Sequence, residues 1–127
     1  MPNQDHKKIA TLFKEYFESI APGYVKVEVT PLHGGPAYVC PIDLPAYKAA
    51  EKAYADVYGK NPVPFRSGGS IPIIAAFEEI LGIKAILMGF GLESDAIHSP
   101  NENFPLKQFF NGITTIPLFY KYFAEKK

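Results

Sequence analysis

The chain has 127 residues, of which 47% are hydrophobic, enough for one globular domain with a buried core. Basic and acidic side chains number 13 each, so no net field draws the chain to nucleic acid or to a charged membrane. A single cysteine, Cys40, excludes an intramolecular disulfide framework and a cysteine-cluster zinc site. The polar start, MPNQDHKK, and the absence of a long apolar run favour a cytoplasmic protein without signal peptide or membrane span.

The first thirty residues are predicted to form one helix and one strand. Asp5 is a candidate N-cap for a helix that Pro22 and Gly23 end. Its apolar residues share one helical face: Ile9, Leu12, Phe13, Tyr16, Phe17 and Ile20. Residues 24–30 alternate valines with polar side chains, as in a half-buried strand. Because this strand has no obvious partner, we expect a sheet continued in a missing N-terminal region or in a second copy of the chain.

A second helix is predicted to begin at Asp43, as N-cap, with Pro45 in its first turn, and to end at Gly59. Its expected apolar stripe comprises Leu44, Tyr47, Ala50, Tyr54 and Val57. A short edge-like strand over 62–65 follows. The sequence therefore continues to alternate helix and strand.

Ser70 is predicted to cap a third helix, with Pro72 in its first turn. Its expected buried stripe comprises Ile73, Ile74, Phe77, Ile80 and Leu81. Residues 84–90 are almost all apolar, as in a strand covered on both faces. A last helix is expected from about Pro105 to the C-terminus, kinked at Pro117. This order predicts a mixed α/β fold, with parallel crossovers in the second half.

The stretch FRSGGSIPI, residues 65–73, has the features of an anion-binding site. Gly68 and Gly69 allow a close backbone approach, and Ser70 opens a helix whose free N–H groups attract an anion. Arg66 adds a planar guanidinium that matches a carboxylate or phosphate. A glycine turn with an ordinary N-cap and a surface arginine gives the same pattern, so the interpretation stays open.

The stretch GFGLESDAIHSPNENF, residues 89–104, places His98 among acidic and turn-forming residues. Imidazole is the commonest transition-metal ligand, and a nearby carboxylate commonly orients it. One histidine cannot make a zinc site, which needs three or four protein ligands. Taken alone, His98 is better explained as an ordinary loop residue.

Together the two stretches resemble the C-terminal part of the di-zinc aminoacylase, carboxypeptidase and dipeptidase family, nearest its carnosinase-like dipeptidase branch. The resemblance covers nearly the whole chain, and its most specific part is Arg-x-Gly-Gly-Ser-Ile-Pro followed by His-Ser-x-Asn-Glu, with His98 thirty-two residues after Arg66. It implies that residues 1–32 are the end of a lid (dimerisation) domain. Residues 33–127 would be the C-terminal part of a zinc-exopeptidase-like mixed α/β catalytic domain.

The resemblance also implies site residues. His98 matches the last ligand of two zinc ions, Arg66 and Ser70 match positions that hold or flank the substrate carboxylate, and Gly68 and Gly69 match the turn beside it. Glu102 matches a loop-supporting position. The family's other metal ligands and its glutamate general base lie upstream, without counterparts in this chain.

The implied function is that of a fragment of a metal-dependent hydrolase, which cleaves dipeptides or acyl-amino acids and is inactive as this chain alone. The alternative is a non-catalytic α/β module that binds a small anionic ligand through Arg66 and the Ser70 helix start. In either case we expect homo-oligomers that form through exposed sheet edges.

Overall fold

The computed structural model describes residues 2–66 and 71–125. The helices of this part are α1 (His6–Ser19), α2 (Pro45–Tyr58), α3 (Ile73–Leu81) and α4 (Leu106–Ala124), with a 3-10 turn at Glu93–Asp95. Two compact units result: Met1–Val39 with Arg66–Ala85, and Cys40–Phe65 with Ile86–Lys127. In the part of the chain that is described, no helix is both long and apolar enough to cross a membrane.

Helix α1 of the first unit begins where the sequence predicts. The Asp5 carboxylate accepts the backbone N–H groups of Lys7, at 2.8 Å, and Lys8, at 3.3 Å. These hydrogen bonds, that from Lys8 foremost, hold the pKa of Asp5 below its usual value. The six apolar side chains of its predicted face are nevertheless 44% to 66% exposed. The periodicity therefore predicted the helix correctly, but the described residues do not bury its face.

Helix α3 of the first unit begins later than predicted. Its N-cap is Pro72, so the prediction of Pro72 inside the first turn is wrong, and Ser70 lies outside the described residues. Gly82, with a φ of 66°, ends the helix. Ile73, Phe77 and Leu81 of the predicted buried stripe are 40% to 59% exposed, and the buried helix residue is Ala75. The prediction that these three side chains are buried is therefore also wrong.

The second unit has its core between α2 and α4. Ala49 and Ala53 are fully buried there, and Tyr122 is 8% exposed. The Tyr122 hydroxyl donates a hydrogen bond to the Asp56 carboxylate, which raises the pKa of Tyr122. The Lys52 ammonium lies 3.7 Å from the centre of the Tyr122 ring, a cation–π contact. Alanines let the two helices approach closely, and polar contacts at Tyr122 fix their register.

The predicted ends of α2 and α4 are mostly confirmed. Gly59 ends α2 in the left-handed conformation, and Pro45 occupies the first helical position. Asp43 as N-cap is wrong, because Leu44 is the N-cap and no side chain caps the helix. Pro105 precedes α4, and Pro117 lies inside it.

The predicted strands, over 24–30, 62–65 and 84–90, have no regular secondary structure, and residues 2–66 and 71–125 contain no strand. A strand exists only through backbone hydrogen bonds to a neighbour. Other contacts hold these segments: the Val29 N–H donates to the Glu18 carboxylate at 3.1 Å, and the Tyr38 hydroxyl donates to the Ala85 carbonyl at 2.7 Å. The described chain is thus helical, and the sheet of the predicted α/β fold is not formed by it.

Candidate functional site

His98 lies in an exposed loop of the second unit, residues 92–103, hereafter the His98 loop. Three residues of this loop adopt left-handed backbone conformations: Ala96, with φ 54°, His98, with φ 62°, and Asn101, with φ 65°. Such conformations cost residues with a Cβ about 1–2 kcal/mol each. The loop therefore has a specific shape that hydrogen bonds must maintain.

Hydrogen bonds inside the His98 loop supply part of that stabilisation. The Ser99 N–H donates to the Ala96 carbonyl at 2.9 Å, and the Glu102 N–H donates to the Ser99 carbonyl at 3.2 Å. The Glu102 carboxylate accepts the backbone N–H of His98 at 3.3 Å. This contact agrees with the interpretation of Glu102 as a residue that supports the loop.

Asp95 is the one buried acidic residue of the His98 loop, and its side chain is 1% exposed. Its Oδ2 accepts the Leu92 N–H at 2.7 Å, and its own N–H donates to the Leu92 carbonyl at 3.0 Å. Its carbonyl accepts the Asn103 N–H at 2.9 Å. In the sequence Asp95 is only one of the acidic residues that precede His98. The sequence feature that could have identified this role is an acidic residue three positions after the N-cap of a short helical turn, where its carboxylate can accept the N-cap N–H.

The predicted carboxylate-binding residues belong to the first unit, where Arg66 is exposed. Gly68, Gly69 and Ser70 lie outside the described residues. Pro72, the N-cap of α3, packs against Gly35, where an added Cβ would lie 2.8 Å from the Cβ of Pro72. The close approach at Gly35 therefore excludes any side chain there.

The described ranges do not contain a metal site of their own. No group of three or more histidine, cysteine, aspartate or glutamate side chains is arranged there to hold a metal ion. A zinc ion needs three or four protein ligands. His98 therefore supplies too few ligands for even one zinc ion. The described residues alone do not define a metal-dependent reaction.

Comparison with known proteins places these residues in a family. The chain matches Peptidase family M20/M25/M40 over residues 5–121. It is 31% identical, over 98% of its length, to the Cys-Gly metallodipeptidase DUG1 of Saccharomyces cerevisiae, and 31% identical, over 69% of its length, to the human Beta-Ala-His dipeptidase. A solved structure of the di-peptidase Dug1p from Saccharomyces cerevisiae superposes with a TM-score of 0.86, at 30% identity, over 98% of the chain. The chain spans 27% of the yeast relative and 17% of the human one.

Proposed function

Because the chain belongs to peptidase family M20/M25/M40, we propose that it is the C-terminal part of a metal-dependent hydrolase that cleaves dipeptides or acyl-amino acids. Two relatives that support this are named a Cys-Gly metallodipeptidase and a Beta-Ala-His dipeptidase. The chain corresponds to about a quarter of the yeast relative, 27% of its length. The remaining ligands and the general base are then contributed by residues outside this chain, and the chain alone is inactive.

His98 supplies one zinc ligand in this proposal. The observation that carries this role is an exposed histidine in a loop whose backbone N–H groups donate hydrogen bonds to the carboxylates of Asp95 and Glu102. A metal ligand must be accessible to the ion and held in a defined direction, and second-sphere hydrogen bonds usually provide that direction. In the assembled enzyme two zinc ions would activate the water that attacks the amide carbonyl.

Arg66, Gly68, Gly69 and Ser70 form the substrate-carboxylate site in this proposal. The exposed guanidinium of Arg66 can bind a carboxylate by donating two parallel hydrogen bonds to it. The N-terminus of α3 follows these residues in the chain and contributes its free N–H groups and positive dipole end. A carboxylate at this position suits dipeptides and acyl-amino acids, which both carry one.

The exposed apolar surfaces support the proposal that the described residues are part of a larger α/β fold. The buried apolar residues of the described chain are four alanines and Tyr122, whereas Phe13, Ile73 and Phe110 are more than half exposed. We place residues 1–32 in a lid domain and 33–127 in the catalytic domain, with 24–30, 62–65 and 84–90 as strands once the sheet is complete. Without that completion we expect homo-oligomers, and a cytoplasmic location remains a prediction.

A chimera tests this function. The matching segment of the yeast Cys-Gly metallodipeptidase DUG1 is replaced by this chain, and hydrolysis of Cys-Gly is measured. We expect an active chimera whose kcat falls at least about a hundredfold with His98→Ala, as for loss of a metal ligand. Arg66→Ala should chiefly raise KM, because it removes a substrate contact.

The matched control is His6→Ala, which removes an imidazole at the start of α1 and should leave both constants unchanged. Full activity of the His98→Ala chimera would refute the ligand role. The alternative, a metal-independent module, is supported instead if the isolated chain binds a dipeptide in the presence of a chelator and Arg66→Ala abolishes that binding.

A further inference from the structure

We propose that Asp95 is a positioning residue for His98, whose buried carboxylate fixes the His98 loop in the shape that presents the imidazole. The inference rests on the proposed function, because the direction of the His98 imidazole matters when it binds a metal ion. Asp95 itself touches neither metal nor substrate in this proposal. It acts through the backbone that carries His98.

Asp95 joins the two ends of the loop. Toward the start, it exchanges two hydrogen bonds with Leu92, one through its carboxylate at 2.7 Å and one through its N–H at 3.0 Å. Toward the end, its carbonyl accepts the Asn103 N–H at 2.9 Å. A single residue thus closes the segment from 92 to 103. Closing a segment of this length has an entropic cost that such bonds must offset.

The backbone at His98 depends on this closure. Its φ of 62° is unfavourable for any residue with a Cβ, and Ala96 and Asn101 on either side are left-handed as well. The direct support at His98 is one bond of 3.3 Å from its N–H to the exposed Glu102. The strongest anchor of the loop is the 2.7 Å bond to a carboxylate that is 1% exposed. Hydrogen bonds in a buried site, where the local dielectric is low, are stronger than those at the surface.

The second carboxylate oxygen of Asp95 indicates that this residue has a role other than packing. Its Oδ1 is buried and has no hydrogen-bond partner within the described residues. Burying such an oxygen is unfavourable, so a side chain chosen for packing alone would be apolar. The bond that positions the loop needs one acceptor oxygen, which asparagine also provides. Asp95→Asn is therefore the conservative variant that should restore the function of the aspartate.

Amide hydrogen exchange by NMR on the whole 127-residue chain tests the inference. The variants are Asp95→Ala and Asp95→Asn, with Glu93→Gln as a control that removes the same charge from an exposed position two residues away. In Asp95→Ala we expect exchange at Leu92 to accelerate about tenfold to a hundredfold, the cost of leaving a hydrogen-bonding group without its partner. The HN–Hα coupling of His98 should leave its left-handed value. Asp95→Asn should restore both, and Glu93→Gln should change neither.

The amide of Thr115 in α4, a fully buried residue, serves as the internal reference for global stability. Equal acceleration at Thr115 and Leu92 would mean that Asp95 only stabilises the fold, and an unchanged His98 coupling in Asp95→Ala would also overturn the inference. If Asp95→Ala does not fold, the same two measurements on the unaltered chain and on Asp95→Asn test the inference. Unprotected amides at Leu92 and Asn103, or a lost His98 coupling in the asparagine variant, would then refute it.

This experiment needs neither metal nor substrate. A chimera without zinc-dependent activity, together with the expected exchange pattern, would overturn the proposed function and leave the organisation of the loop by Asp95 intact. The reverse result, an active chimera with an exchange pattern independent of Asp95, would overturn only the positioning role.

Discussion

Two glycines in the second unit should respond to alanine in opposite directions. Gly112 lies inside α4, and a Cβ there would meet the ring of Phe90 at 3.5 Å, an ordinary van der Waals distance. Glycine in a helix interior is about 0.8–1.0 kcal/mol less favourable than alanine, so Gly112→Ala should stabilise the unit by about 0.5–1 kcal/mol. Gly59 ends α2 at a φ of 69° with open space around it. Gly59→Ala should destabilise the unit by about 1–2 kcal/mol, from backbone strain alone.

Equilibrium urea unfolding, monitored by far-UV circular dichroism, measures both effects. The two variants should differ from each other by about 2 kcal/mol in free energy of unfolding, with unchanged m-values. A destabilised Gly112→Ala would show that α4 and the segment around Phe90 lie closer together than described. An unaffected Gly59→Ala would show that α2 does not end in the left-handed conformation. Either result would refute the packing of the second unit given above.

Further expectations concern ionisation, metal binding and assembly. Burial and, second, the neighbouring Tyr58 raise the pKa of Tyr54 to about 12. Because the folded pKa lies above the unfolded one, the neutral phenol contributes stability that is complete below about pH 10 and is lost between about pH 10 and 12. For a half-exposed side chain this contribution amounts to about 1 kcal/mol. Urea unfolding of Tyr54→Phe at alkaline pH should show that this pH-dependent contribution is absent. Isothermal titration of the isolated chain with zinc should show no tight stoichiometric binding and no dipeptide hydrolysis, whereas tight binding with turnover would contradict the need for outside ligands. Sedimentation velocity should detect self-association, and a clean monomer would contradict it.

Helix positions could be predicted because their signals are local. The Asp5 cap and the apolar repeat that follows it are determined within a few residues, and α1 begins where they indicate. Gly59 likewise marks the end of α2. Asp43 failed as N-cap because Pro45 already fixes the first helical position and Leu44 takes the cap. Boundaries set by two competing signals are therefore less predictable than those set by one.

Burial could not be predicted from the same repeat, because it depends on what packs against each face. The expected stripe of α2 included Ala50, which is buried, and Tyr47 and Tyr54, which are only partly buried. The fully buried residues are Ala49 and Ala53, which face α4. The strand predictions failed for the same reason, since alternation reports a tendency and pairing needs a neighbour. Residues 24–30 show this most clearly, with a strand-like pattern and no strand.

The residues of the candidate site could be identified from sequence motifs, but the conformation of the His98 loop could not. The motifs around Arg66 and His98 resemble those of the family that the comparisons confirm. Asp95 was missed as an organising residue, because a buried carboxylate is uncommon and sequence alone does not reveal which acid of a loop is enclosed. The left-handed backbone of His98 follows from contacts that close only in the folded loop.

The zinc content of the chimera tests the central claim most directly. The purified chimera and its His98→Ala form are dialysed against metal-free buffer, and bound zinc is determined by mass spectrometry under native conditions. The proposal that His98 is a ligand of one of two zinc ions predicts two bound ions in the chimera and at least one fewer in the variant. Two ions retained by both proteins would contradict it.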